Sequence, residues 1–276
     1  MIAEATVDEF ILPNEISKDV FMHLKYKYES PFWCKENLIN LAVNKLTSSN
    51  LNWQYVAWID ADISFLNTNW VQHTIQELKK AHFVQLFKDV VYLGPTNEVL
   101  YVRNGFSFIY YLNNFKRINQ YSHVATGLAI ACTRWAFENT QGLIDFNIVG
   151  GGDSILMMSI VQHLHVFLVD KVTRLNISST FVDLLREKQS HYRQFGIKLS
   201  FLTDAILSHW HGTRADRNYM RRWNILKDYN PVEDLIRNSD GLLNLNENGK
   251  RMKFDFIKYF LLRNDDNLNE NKIKVN

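Results

Sequence analysis

Two periodicities alternate along this chain. Short apolar runs bounded by polar clusters predict strands over residues 2–10, 53–59, 82–87, 90–94, 126–132 and 205–211. Between them, apolar residues recur every three or four positions and predict helices over 33–46, 69–81, 134–140, 154–165, 183–195, 215–228 and 254–263. The first of these helices carries Leu38, Leu41, Ala42 and Leu46 on one face; the second turns Trp70, Ile75 and Leu78 inward. Residues 14–31 read as a loop with aromatic anchors, and 100–125 as aromatic and irregular. Gly94-Pro95 marks a turn, and the tail beyond Asn264 is polar. With no internal repeat and no linker, one α/β domain over 1–265 and a disordered tail over 266–276 is the simplest organisation.

The apolar run Trp53, Tyr55, Val56, Ala57, Trp58, Ile59 delivers two carboxylates, Asp60 and Asp62, to its end. In open α/β sheets, ligands bind beyond the carboxyl ends of the strands. Paired carboxylates there need a positive partner, and a divalent cation holding a diphosphate suits them. Such a pair can also simply end a strand, so the rest of the chain must add weight. Gly150-Gly151-Gly152-Asp153 opens the helix at 154. Asp is an ordinary N-cap, but three glycines exceed what a cap needs and permit close backbone approach to a sugar. In His209-Trp210-His211-Gly212 the imidazoles share a face if the strand continues, which would suit a metal as well as a half-buried surface. Arg214, Arg217 and Arg221 fall on one face of the helix expected next, with Arg222, Tyr219 and Trp223 nearby. A solvated basic face is the commonplace explanation; directly after candidate metal ligands, guanidinium groups suit a diphosphate. Lys35-Glu36-Asn37 lies on the helix that feeds the same crevice.

Composition narrows the classes. The 276 residues are 46% hydrophobic, ample for a full core, and the net charge of +2 implies no nucleic-acid partner. Cys34 and Cys132 lack metal-type spacing and read as free thiols of a reducing compartment. No basic-then-apolar leader opens the sequence, and no apolar run approaches the ~20 residues of a membrane span. A cytoplasmic location is expected.

The order of the motifs resembles the GT-A-type glycosyltransferases, which use nucleotide sugars and have a Rossmann-like domain. Asp60-Ala61-Asp62 comes first, then Gly127-Leu128-Ala129, Gly151-Gly152-Asp153 and His209-x-His211-Gly212 with its basic, Trp-containing sequel. Trp33-Cys34-Lys35-Glu36-Asn37 and His211-Gly212 through Arg217 and Tyr219 are similar to segments of galactosyltransferase-like or family-2-like proteins of bacteria and large DNA viruses. The resemblance spans roughly residues 30 to 265. It implies a single GT-A domain with a mixed central sheet flanked by helices and a C-terminal helical extension. Residues 2–10 match the family's second strand, so its first nucleotide-binding strand and helix are expected to be lacking.

The same resemblance implies a UDP-sugar donor, a glycan or other hydroxyl acceptor, and Mn²⁺ or Mg²⁺ held by Asp60, Asp62 and His209 or His211. Imidazole tilts that choice toward Mn²⁺. Lys35, Asn37, Asp60, Asp62, Arg214 and Arg217 would bind donor, and Gly151, Gly152 and Trp210 acceptor. Asp153 would be the base of an inverting transfer. Two other functions compete: a non-catalytic glycan-binding or assembly relative, and a metal-dependent phosphohydrolase. The second usually needs more carboxylate and histidine ligands than this sequence offers.

Overall fold

The computed structural model describes residues 1–6, 9, 10, 12, 22–49, 51–114, 116, 123–165, 168, 175–213, 217–219 and 221–263. In chain order come β1 (Ile2–Thr6), β2 (His23–Lys27), α1 (Lys35–Ser48), β3 (Tyr55–Ile59), β4 (Ile63–Phe65), α2 (Trp70–Leu78), β5 (Phe83–Gln85), β6 (Asp89–Leu93), β7 (Val99–Gly105) and α3 (Phe106–Tyr111). There follow β8 (Val124–Ala125), β9 (Ala129–Thr133), α4 (Arg134–Asn139), α5 (Gly152–Ile160), α6 (Ser179–Gln194), β10 (Leu199–Phe201) and β11 (Ala205–Ser208). A 3-10 helix (Arg221–Leu226), α7 (Pro231–Asp234), β12 (Leu235–Arg237), β13 (Leu243–Leu245), a second 3-10 helix (Gly249–Met252) and α8 (Lys253–Leu262) complete the order. The class is mixed α/β, as the two periodicities predict.

Two mixed sheets form the frame. The first runs β10-β5-β9-β3, with β9 antiparallel to both neighbours and β10 parallel to β5. Strand β9 is buried on both faces, so its sequence Ala-Ile-Ala-Cys is apolar without alternation. Its residues still divide by parity: Ile130 and Cys132 face the core beneath α1, α5 and α6, whereas Ala129 and Ala131 face a smaller core with Leu78, Val90 and Ile206. Phe83 and Val84 of β5 divide the same way. The second sheet runs β4-β11-β6-β7-β8. Helix α5 is buried from Ile155 through Ile160, which explains its nearly unbroken apolar sequence.

Several expectations need correction. Residues 99–111 are regular: β7 pairs with β6, Tyr101 stacking on Tyr92 at 4.7 Å, and α3 follows. The aromatic clustering hid that strand, because its partner rather than its own alternation holds it. Residues 23–27 form β2, paired in parallel with β1, where a loop is predicted; β1 itself ends at Thr6. Ile75 is 37% exposed, and Thr74 with Leu78 takes the buried side of α2. The basic helix expected over 215–228 is a turn at 217–219 and then the short 3-10 helix; residues 214–216 and 220 lie outside the described residues, as does the 266–276 tail.

Helix α1 is fastened to the C-terminal part of the chain by one amide. Asn37, fully buried, donates to Asp145 at 3.1 Å and to the Gly241 carbonyl at 3.3 Å, and accepts from Leu243 N–H at 3.0 Å. Arg237 binds both oxygens of Asp145 at 2.8 and 2.9 Å. Removing the amide leaves a buried N–H and part of a carboxylate unsatisfied. Asn37→Ala should therefore cost about 2–3 kcal/mol, read as a lower urea midpoint with unchanged slope.

Candidate active site

Strand β3 delivers Asp60 to the sheet end, where its N–H binds the Leu128 carbonyl at 2.7 Å. The chain turns through Ala61 and Asp62 into β4, which pairs antiparallel with β11, Ile63 opposite Ser208. That register brings the residues after β11 back to the carboxylates, and His209 N–H donates to the Asp62 carbonyl at 2.7 Å. The strand stops at Ser208, so the two imidazoles do not act as one pair. His209 Nε2 meets Ser64 Oγ at 2.8 Å, whereas His211 Nδ1 meets Asp62 Oδ2 at 2.8 Å. Trp210 sits between them in sequence, half-buried.

Two helix starts close the other side. Lys35, in the first turn of α1, places Nζ 2.7 Å from Asp60 Oδ1 and 3.3 Å from Asp153 Oδ2. Asp153 lies in the first turn of α5, after Gly150 and Gly151 at φ +77° and +85°, values that disfavour any side chain. The space left by the glycines is used by the protein itself. A methyl group on Gly152 would collide with Glu36 Oε1, one on Gly150 would crowd Trp33 and Arg222, and one on Gly127 would collide with Asp153 Oδ2. The open backbone at Gly151 and Gly152, expected to face acceptor, thus packs against Arg222 and Glu36.

Of the arginines, Arg217 is buried, contacts His211 Nε2 and lies 4.8 Å over the Tyr219 ring. Arg222, also buried, lies over Tyr219 at 4.9 Å and Trp33 at 5.5 Å, while Arg221 is exposed. Helical spacing selects Arg221; the tighter 3-10 path puts Arg222 inside instead. Glu36, Arg222, Trp33 and Tyr219 are the site neighbours that spacing did not single out. Arg214 lies outside the described residues. Asn37 turns away to the opposite side of α1, where it lines a cavity of about 680 Å³ that contains none of the other candidate residues.

Charge crowding governs the site. Burial and the nearby Asp153 push Glu36 up to about 7 against the pull of Lys35. Burial likewise raises Asp60, with Lys35 opposing and Asp153 adding to the rise. Burial works against the charge of Lys35, but Asp153 and Asp60 outweigh it and hold the ammonium above its ordinary range. Asp62 behaves oppositely to Asp60: the His211 hydrogen bond and the Arg217 charge overcome its burial and lower it. His211 is raised in return by its bond to Asp62. The two aspartates of one turn therefore have different partners, an ammonium for Asp60 and an imidazole for Asp62. Among the described residues, no group of three or more His, Cys, Asp or Glu side chains is arranged to hold a metal ion.

Compared with known proteins, the chain matches no family model, no curated protein and no solved structure. No described helix is long and apolar enough to cross a membrane.

The raised Glu36 gives the fold a pH signature. Its ordinary value is 4.5 and its folded value about 7, so in this window the unfolded chain loses the proton first. Stability from this group is complete below pH 4.5 and is lost as pH rises toward 7, by about 3 kcal/mol in all. His211, raised as well, loses stability in the same direction at higher pH. Urea unfolding of wild type and Glu36→Gln across pH 4.5 to 8 should show a wild-type decline that the variant lacks over the lower part of the range. Parallel curves would remove Glu36 from the account.

Proposed function

We propose that the chain is a metal-dependent glycosyltransferase of the GT-A type, moving a sugar from a nucleotide-diphosphate donor, UDP-linked by preference, to a hydroxyl acceptor with inversion. One observation carries the reading: a single ammonium, that of Lys35, touches both Asp60 and Asp153. Asp60 and the candidate base, distant in sequence, thus share one counter-charge. A transfer needs its donor-side and acceptor-side carboxylates this near each other. The two free cysteines, Cys34 and Cys132, accord with a reducing, cytoplasmic setting.

In this reading the protein offers a divalent ion only part of its coordination. Asp62 and His211 offer a carboxylate oxygen and an imidazole nitrogen 2.8 Å apart, a mixture that favours Mn²⁺ over Mg²⁺. Asp60 lies two residues away as a further oxygen donor, and diphosphate oxygens would complete the coordination. The ion would offset charge growing on the leaving diphosphate. Arg217, already at His211, supplies a guanidinium to the same side. Asp153 accepts the proton of the attacking hydroxyl, and its carboxylate is held in place by Lys35 and by the close backbone at Gly127. Attack from the face opposite the diphosphate inverts the anomeric centre.

Calorimetry should show UDP binding with Mn²⁺ and none in chelator, and Asp62→Ala should abolish the metal-dependent part. Asp153→Asn should keep binding but lower transfer by about 10²–10⁴-fold, because a lost base acts on the transition state. Equal UDP binding in chelator would end the metal assignment. Near-wild-type transfer by Asp153→Asn would return Asp153 to the role of a helix-start residue.

A further inference from the structure

Lys35 holds the position at Asp60 that an incoming metal ion contests. Its ammonium is rooted in α1, bonds Asp60 at the end of β3 at 2.7 Å, and reaches Asp153 at the start of α5 at 3.3 Å. All three side chains are only partly exposed, at 26%, 29% and 22%, so solvent does little to separate the carboxylates' charges. Asp62 adds negative charge near Asp60, Glu36 neighbours Lys35 and Asp153 and is itself faced by Arg222, and Asp62 is faced by His211 and Arg217. The ammonium is a compact charge on a flexible stem, able to move between acceptors only a few ångströms apart. Asp60 Oδ1 is already engaged in its shorter bond, and a divalent ion beside it would repel the ammonium. Asp153 is the acceptor already within reach.

We propose that Lys35 is a resident counter-cation that exchanges partners: it neutralises Asp60 in the metal-free protein and passes to Asp153 when a divalent ion enters. The proposal rests on the reading of Asp60 and Asp62 as metal-side residues. It makes Lys35 a positioning residue that links occupancy of the donor side to the orientation and charge of Asp153 on the acceptor side. Such coupling is reciprocal, so Asp153 must in turn influence metal affinity even without touching the ion.

Mn²⁺ alone is the probe, titrated without nucleotide and followed by the electron paramagnetic resonance of the free ion. Lys35→Gln should bind Mn²⁺ about tenfold more tightly than wild type, since a competing cation is gone. Asp153→Asn should weaken binding when Lys35 is present, because the ammonium then closes on Asp60 alone. In the Lys35→Gln background the same change should have an effect at least about threefold smaller, a non-additive cycle. Unchanged or weaker binding by Lys35→Gln, or equal effects of Asp153→Asn in both backgrounds, overturns the exchange. Should the Lys35 variants not fold, the Nζ resonance of Lys35 in wild-type protein decides. Added Mg²⁺ should shift it, and a resonance that stays unmoved while Mg²⁺ binds overturns the proposal. No Mn²⁺ binding by wild type, or binding that Asp62→Ala leaves intact, would instead strike the metal reading itself, which keeps the two failures distinct.

Discussion

Three carboxylates cannot gather at the meeting of α1, β3 and α5 without a cation, and Lys35 supplies it. The local architecture serves this contact. The helix start that carries Lys35 is fastened from behind by Asn37, whose amide ties α1 to Asp145 and to the backbone at Gly241 and Leu243. The α5 start that carries Asp153 is reached through left-handed glycines that leave room for Glu36 and Arg222. A shift of either helix by a fraction of a turn would strand a partly buried charge, which costs more than most single contacts return.

The sequence was most legible where burial sets the pattern. Strands β3, β5, β6, β9 and β11 and helices α1, α2, α5 and α6 follow from runs and periods, because each meets the core along a whole face. It was least legible where a partner distant in sequence makes the element. Strand β4 is three residues of mixed polarity held by β11, and β7 owes its regularity to β6. The site divides in the same way. Asp60, Asp62 and Asp153 stand out because each ends or begins an element. Glu36 does not, since nothing in a helix start of Lys-Glu-Asn says which of the three will be driven under a glycine of another helix. The arginines mislead for a geometric reason: α-helical spacing assigns Arg221 inward, and a 3-10 turn selects its neighbour.

The two histidines show how strongly a strand's end matters. Had β11 run on through His211, both rings would share one face. Because it ends at Ser208, His209 pairs with a serine of β4 and His211 alone reaches a carboxylate. Asp62 is consequently acidified by an imidazole, whereas Asp60, one short turn earlier, is pushed the other way by burial and by Asp153 despite its ammonium partner. Neighbouring carboxylates with opposite tendencies are a common basis for dividing chemical roles.

The position of β9 carries a consequence for how the chain assembles. It lies between β3 and β5, both of which precede it in the sequence. During synthesis those two strands emerge early, yet they have no edge in common until β9 is inserted between them. Asp60 is then braced through the Leu128 carbonyl just before β9, and Asp153 arrives later still with α5. Contacts of such long sequence separation form slowly and leave strand edges uncovered while they wait. The surroundings of Asp60 and Asp153 are therefore late to take shape, and a nascent chain that stalls before residue 129 presents β3 and β5 without any partner from their sheet.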